Sequence, residues 1–269
     1  MKISAIRDES NKSKNLGYLI YFENSKQFYI ELPFDADPWE TPLLLESFLR
    51  RGERTINAYW SKLWVQQRIV PTDRQNLGQI LKENGLDEYD EYKLLMLVNG
   101  RCAQDNYYLE KMDEEDLPEE VIGRYQKKVE DVIPLEDASL LVFFRDGIVK
   151  KCNIKDIAQN NKRFTAILNN PQLFENVRIQ SGGYGVTWGQ ELDIADSVLY
   201  KEGTTVPLSA KDFISFASGR VVNTSEAAEI LGCSRQNIDD LVKRGKLNPI
   251  KATPQGKLFL KSELLQRKW

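Results

Sequence analysis

Hydrophobic and polar positions change period several times along this chain of 269 residues. At the start, Lys2–Arg7, Gly17–Phe22 and Gln27–Leu32 are rich in aromatic and β-branched side chains and predict three strands, with Glu23–Lys26 turning between the last two. From Asp37 the period becomes helical. Pro38 suits a first helical position, and Leu43, Leu44, Leu45, Phe48 and Leu49 form a stripe that Gly52 ends. A second helix starts at Thr55 or Asn57, carries Ile56, Tyr59, Trp60, Leu63, Trp64 and Val65, and stops by Pro71. A third spans about 73–84 with Gly85 behind it, and a fourth about 88–98 with Gly100 behind it. Trp39, Trp60 and Trp64 are expected in the core of this helical part, because aromatics at helical spacing mostly pack inside.

The acidic stretch Met112–Pro118 marks a boundary, after which Pro118 opens a charged helix to about Asp131. Two apolar runs, Leu140–Phe144 and Ile148–Ile154, then flank Asp146-Gly147, a strong hairpin signal. Helical stretches follow at 155–161 and around 165–168, with Pro171 as a stop. Val177–Gln180 and Val186–Trp188 read as strands on either side of Ser181–Gly185, and Ile194–Tyr200 closes the block as a short helix. Strands alternating with short helices predict a small α+β domain. Its Gly182-Gly183-Tyr184-Gly185 loop leads into the strand-like GVTW, whereas a phosphate cradle leads into a helix, so a hairpin turn is expected.

After an extended stretch around Pro207, Ser209 is placed to cap a helix carrying Phe213, Ile214 and Phe216, with Gly219 at its end. From Val221 the punctuation is densest. Ser225 caps a helix whose inner face is Ala227, Ala228, Ile230 and Leu231, and Gly232 closes it with a left-handed residue. Ser234 starts a second helix with Ile238, Leu241 and Val242 inward, Lys243 and Arg244 in its last turn, and Gly245 as its stop. Two short helices joined by so tight a turn must cross steeply, which is a helix-turn-helix. Leu247–Ala252 and Lys257–Leu260 then flank Thr253–Gly256 as a hairpin wing, and Ser262 opens one more helical turn.

Charge divides along the same line. Residues 220–269 hold ten Lys and Arg against five Asp and Glu, net +5, and the rest of the chain holds 27 against 35, net −8. The overall −3 therefore conceals a basic end that attracts a polyanion and an acidic remainder that repels one. With no histidine, the chain lacks Ser-His and Cys-His nucleophilic pairs and the usual near-neutral base. Its three cysteines, Cys102, Cys152 and Cys233, are widely spaced and suggest neither a disulfide framework nor a zinc site. The expectation is a protein without catalytic residues, cofactor or metal. No apolar run approaches membrane-spanning length, so a cytoplasmic location is expected.

The C-terminal stretch resembles the winged helix-turn-helix of the MerR and excisionase-like group, through Thr224, Glu226, Ala227, Ala228, Leu231, Gly232, Ser234, Arg235, Ile238, Leu241, Val242, Gly245 and Leu247. The resemblance implies that the second helix enters the major groove of double-stranded DNA, with Arg235, Gln236 and Asp239 toward bases and Lys243, Arg244, Lys251 and Lys257 toward phosphates. Thr224, Ser225 and Ser234, at the starts of the two helices, complete the candidate DNA-contacting set. Asp239 has two readings: an acceptor for a cytosine amino group, or, together with Asp240, a sign that this unit binds protein.

The middle block resembles the bacterial domain-of-unknown-function family 2442, through Leu141, Phe143, Asp146, Gly147, Leu173, Phe174, Val177, Trp188, Leu192 and Asp193. Members sit beside helix-turn-helix domains and toxin-like proteins, which implies a regulatory or antitoxin-like module. The expected architecture is α+β and multidomain: a small N-terminal sheet plus helical unit (1–112), a linker helix and small α+β domain (113–203), a connecting helix (204–219) and the winged helix-turn-helix (220–269). The expected function is a transcriptional regulator acting as a homodimer on DNA, with the N-terminal and middle parts dimerising or sensing. An antitoxin-like or phage-defence adaptor that binds a protein partner such as a toxin is the alternative.

Overall fold

In the computed structural model, which describes residues 1–158, 162–189 and 192–267, the first apolar runs form strands β1 (Lys2–Asp8), β2 (Asn11–Phe22) and β3 (Gln27–Glu31). They pair antiparallel in succession. Leu19, Tyr21, Phe28 and Ile30 face one core, while Ile20 and Tyr29 between them belong to another. A sheet covered on both faces explains why Tyr18–Phe22 reads as continuous apolar sequence rather than alternation.

Next come α1 (Leu43–Arg50), β4 (Thr55–Ile56), α2 (Ala58–Gln66), α3 (Leu77–Glu83), α4 (Glu91–Leu97), β5 (Tyr107–Met112) and α5 (Glu119–Gln126). Strand β4 pairs with β3, and β5 with β1, giving the order β4-β3-β2-β1-β5. Phe48 and Leu49 of α1, Trp64 and Val65 of α2, and Leu95 of α4 pack on one face of that sheet. On the other, Val121 of α5 and Leu117 pack on Ile3 and Tyr18.

Two expectations fail here. Helix α1 begins only at Leu43, after Pro42 at its N-cap, so Pro38 lies in a turn before it. Trp39 is therefore off the apolar stripe and 84% exposed, its ring 5.3 Å from the Arg50 guanidinium, whereas Trp64 is buried.

The middle stretch runs β6 (Val129–Pro134), β7 (Ser139–Phe144), β8 (Val149–Asn153), α6 (Ile154–Ile157), α7 (Thr165–Leu168), α8 (Pro171–Glu175), β9 (Arg178–Ile179), β10 (Gly185–Thr187), β11 (Asp193–Ala195) and α9 (Asp196–Glu202). Strand β6 occupies residues expected to continue the preceding helix, which instead ends at Gln126. Pro171 is the first residue of α8 rather than a stop, with the Asn170 side chain capping it. The helical stretch expected at 155–161 extends into residues 159–161, which lie outside the described residues. Leu140, Val142, Phe144, Phe174, Trp188 and Leu199 form the core of this stretch. The Trp188 indole Nε1 donates to the Phe174 carbonyl at 2.9 Å.

The glycine-rich loop is a turn between β9 and β10, as its sequence predicts. A side chain at Gly183, where φ is 78°, would stand 2.2 Å from the Val129 carbonyl oxygen. That closeness delivers Tyr184 inward, 3% exposed and stacked on Tyr29 at 3.8 Å.

The chain divides into two compact units, residues 1–146 with 152–203, and residues 147–151 with 204–269. The N-terminal sheet and most of the middle stretch share the first. Inside that unit lies a buried ionic cluster: Glu31 and Lys128 are each 1% exposed and Asp196 5%. Arg124 Nε donates to Glu31 Oε2 at 2.9 Å and Lys128 Nζ to Asp196 Oδ2 at 3.1 Å.

In the second unit β12 (Thr204–Val206) pairs antiparallel with Val149–Lys151. Then follow α10 (Ala210–Arg220), β13 (Val221–Asn223), α11 (Thr224–Leu231), α12 (Arg235–Lys243), β14 (Lys251–Thr253), β15 (Gly256–Leu260) and α13 (Lys261–Gln266). Ser209 caps α10 as expected, in a reciprocal box with Asp212. The last three strands form a sheet in the order β13-β15-β14. Val222, Ala227, Ala228, Ile238, Leu247, Phe259 and Leu264 make one small core beneath it.

Candidate nucleic-acid interface

Each end of the two central helices of the second unit is fixed by a side chain or a glycine. Asn223 caps α11, its Oδ1 accepting from the backbone N–H of Ser225 at 2.8 Å and of Glu226 at 3.1 Å, while Glu226 Oε2 accepts from the Asn223 N–H at 2.8 Å. Ser225, expected as the cap, instead sits inside the first turn. Gly232 closes α11 in the left-handed region at φ 65°, and Ser234 Oγ accepts from the Asn237 N–H at 3.2 Å to start α12.

That start rotates α12 so that Ile238 is fully buried and Leu241 and Val242 lie half-buried on the core. Arg235 and Gln236, the first two helical residues, are left exposed, as are Lys243 at the last turn and Arg244 just beyond it. A helix held by one face and bearing guanidinium and amide groups on the other has the donors that major-groove edges accept.

The wing follows as the sequence predicts, with β14 and β15 paired around Pro254-Gln255. Lys251 is exposed on β14. Lys257 on β15 reaches back to α12 instead of outward, its Nζ lying 2.6 Å from Asp239 Oδ1. The Lys257 ammonium holds the Asp239 carboxyl below its ordinary range. Thr224 Oγ1 meets the Lys257 carbonyl at 3.5 Å, so Thr224, Asp239 and Lys257 converge where wing and helices join.

Of the ten candidate residues, Ser234, Arg235, Gln236, Lys243, Arg244 and Lys251 are exposed, Thr224 and Ser225 are half-buried, and Asp239 and Lys257 engage each other. Ser234 serves chiefly as a cap. Asn237 and Lys246 are also exposed and were not among the candidates. Lys246 could have been found from its place directly after Gly245, where a chain leaving a helix turns outward. Strand β13 is a further element the apolar pattern missed, since only Val222 of its three residues is buried.

Comparison of the sequence with family models gives a match over residues 221–269 to a family described as "Helix-turn-helix domain". Residues 221–269 are a helix-turn-helix domain. A second match, over residues 129–205, is to a family described as "Protein of unknown function (DUF2442)". No curated protein and no solved structure matches the chain. The helix-turn-helix domain supports DNA-binding activity in general, and within it the Asp239–Lys257 pair sets the hairpin against α12. Among the described residues there is no grouping of three or more His, Cys, Asp or Glu suited to a metal ion, and no helix long and apolar enough to cross a membrane.

Proposed function

We propose that this protein is a sequence-specific DNA-binding transcriptional regulator whose helix α12 lies in the major groove. The observation that carries the proposal is the exposure of Arg235 and Gln236 on the first turn of a helix whose opposite face is anchored by Ile238. Arg235 would pair with a guanine edge and Gln236 with an adenine edge, while Lys243, Arg244 and Lys251 neutralise phosphates. A unit this small spans few base pairs, so useful selectivity calls for two copies on a pseudo-palindrome. Helix α10 supports pairing of two copies, because Ile214 and Phe216 are 64% and 52% exposed. The acidic remainder of the chain would dimerise further or sense.

Fluorescence anisotropy on a labelled fragment of the protein's own promoter tests this. Arg235→Ala should cost about 1 to 3 kcal/mol and relax the sequence preference, whereas Lys251→Ala should weaken all sequences alike and lower the salt slope by about one. Ile214→Glu with Phe216→Glu should lower the mass seen by light scattering from dimer to monomer. Indifference of DNA affinity to both single changes would shift the reading to a protein-binding adaptor.

A further inference from the structure

A cleft of about 810 Å³ lies in the first unit, with one wall from strands β9, β10 and β11 and the other from the start of α2. That volume is within the range of small-molecule sites, roughly 300 to 1,000 Å³. Most of its lining side chains are polar, so hydrogen bonds and charge decide what it holds.

Strand register lays out the first wall. Thr187 on the central strand β10 pairs with Arg178 on β9 and with Asp193 on β11, so all three side chains share one face. Val186 and Ile194 point the other way, into the core. Neighbouring strands lie about 4.8 Å apart, so Arg178 and Asp193 leave the backbone roughly 10 Å from each other. Thr187 does not bridge them, because its Oγ1 meets the carbonyls of Gly189 at 2.7 Å and Leu192 at 3.0 Å. Asp193 takes Gln180 Nε2 on Oδ2 at 3.3 Å, which leaves the other oxygen of an exposed carboxylate open. Arg178 is exposed and, among the described residues, has neither an ion pair nor a hydrogen bond.

The second wall carries an aromatic face and two oriented amides. Tyr59 is 70% exposed, its ring edge-on to Trp60 at 5.2 Å. Asn57 Oδ1 accepts from the Trp60 N–H at 3.1 Å and Gln27 Oε1 from the Tyr29 hydroxyl at 3.3 Å, so each amide keeps its N–H groups to donate. Arg178 only donates and Asp193 only accepts. A ligand that answers all of these carries an anion at one end, N–H donors at the other, and between them a flat ring with acceptor atoms. An aryl acid lacks the donors, and a neutral sugar lacks the anion.

We propose that this cleft binds a nucleoside monophosphate whose base carries an exocyclic amine. The base stacks on Tyr59 with its ring acceptors toward Asn57 and Gln27, the amine donates to Asp193, and the phosphate pairs with Arg178. Service as the sensing site rests on the regulator reading, but the binding itself does not, and its test contains no duplex, so the two fail separately.

Isothermal titration calorimetry of the full chain with AMP and CMP decides it, against their nucleosides, ribose 5-phosphate and UMP. At least one of the two nucleotides should bind at one site per chain, about tenfold or more tighter than its nucleoside, ribose 5-phosphate or UMP. Arg178→Gln should bring that nucleotide down to the affinity of its nucleoside and leave the nucleoside unchanged. Tyr59→Ala should weaken it by about tenfold, through the lost stacking. Both positions are exposed, so the melting temperature should stay near wild type in each variant. No saturable nucleotide binding, equal affinity for ribose 5-phosphate or UMP, or full binding by either variant overturns the proposal.

Discussion

Lysine serves opposite ends in the two units. Lys128 in the first is 1% exposed, fenced by Glu31, Asp196 and the face of Tyr184. Lys243, Lys246 and Lys251 in the second are exposed. Dehydrating an ammonium costs several kcal/mol and is tolerated only where carboxylates replace the lost water, so Lys128 is committed to internal structure. The exposed lysines keep much of their water, and the mobile counterions around them are what a phosphate backbone displaces. One unit consumes its charge inside the fold, and the other keeps it available.

Substitution at each site should separate these uses. Lys128→Met strands Asp196 without its cation and leaves Glu31 with Arg124 alone, and urea denaturation should register a loss of about 3 to 5 kcal/mol, because breaking a buried pair leaves an uncompensated charge. A loss under about 1 kcal/mol would mean that water already reaches the cluster and that the contrast is false. Asn223→Ala, removing the cap that starts α11, should cost about 1 kcal/mol in the melting of the second unit. Ser225→Ala at the neighbouring position should change little.

Lys251→Met should alter stability by no more than about 0.5 kcal/mol while lowering the salt dependence of DNA binding. The smallest effect concerns pH. The Asp239 and Asp212 carboxyls are held below the ordinary 3.8, by Lys257 and by the Ser209 cap respectively. Their contribution to the second unit is complete above that value and lost as pH falls through the folded-state values beneath it. Asp239→Asn should therefore remove that small contribution at neutral pH and flatten the acid limb below pH 3.8, followed by circular dichroism.

What could be seen in the sequence follows the reach of the interaction involved. Helix ends at Gly52, Gly85, Gly100 and Gly232 were legible because each takes a positive φ that glycine alone adopts freely, a purely local demand. The two central helices of the second unit were legible for the same reason. Strands β5 and β6 were not, since only Leu109 and Val129 respectively are buried in them, too few to make a period. The cap of α11 is Asn223 rather than the expected Ser225, although Glu226 lies three residues after Asn223 and so marked the right one. Nothing local marked Lys128 as buried or brought Tyr184 to Glu31, because both depend on strands more than fifty residues away. The outward face of α12 at Arg235 and Gln236 was visible from helix phase, but the diversion of Lys257 toward Asp239 was not.

That diversion has an effect on recognition itself. A hairpin tethered to α12 has already given up part of its swing before any duplex arrives, so less ordering would remain to be done in the proposed encounter. In the proposed complex Lys257 would meet the duplex with its charge already answered and few small cations to shed. The domain should show a gentler ionic-strength response than its tally of basic residues suggests, having exchanged some long-range pull for a preset span between helix and hairpin.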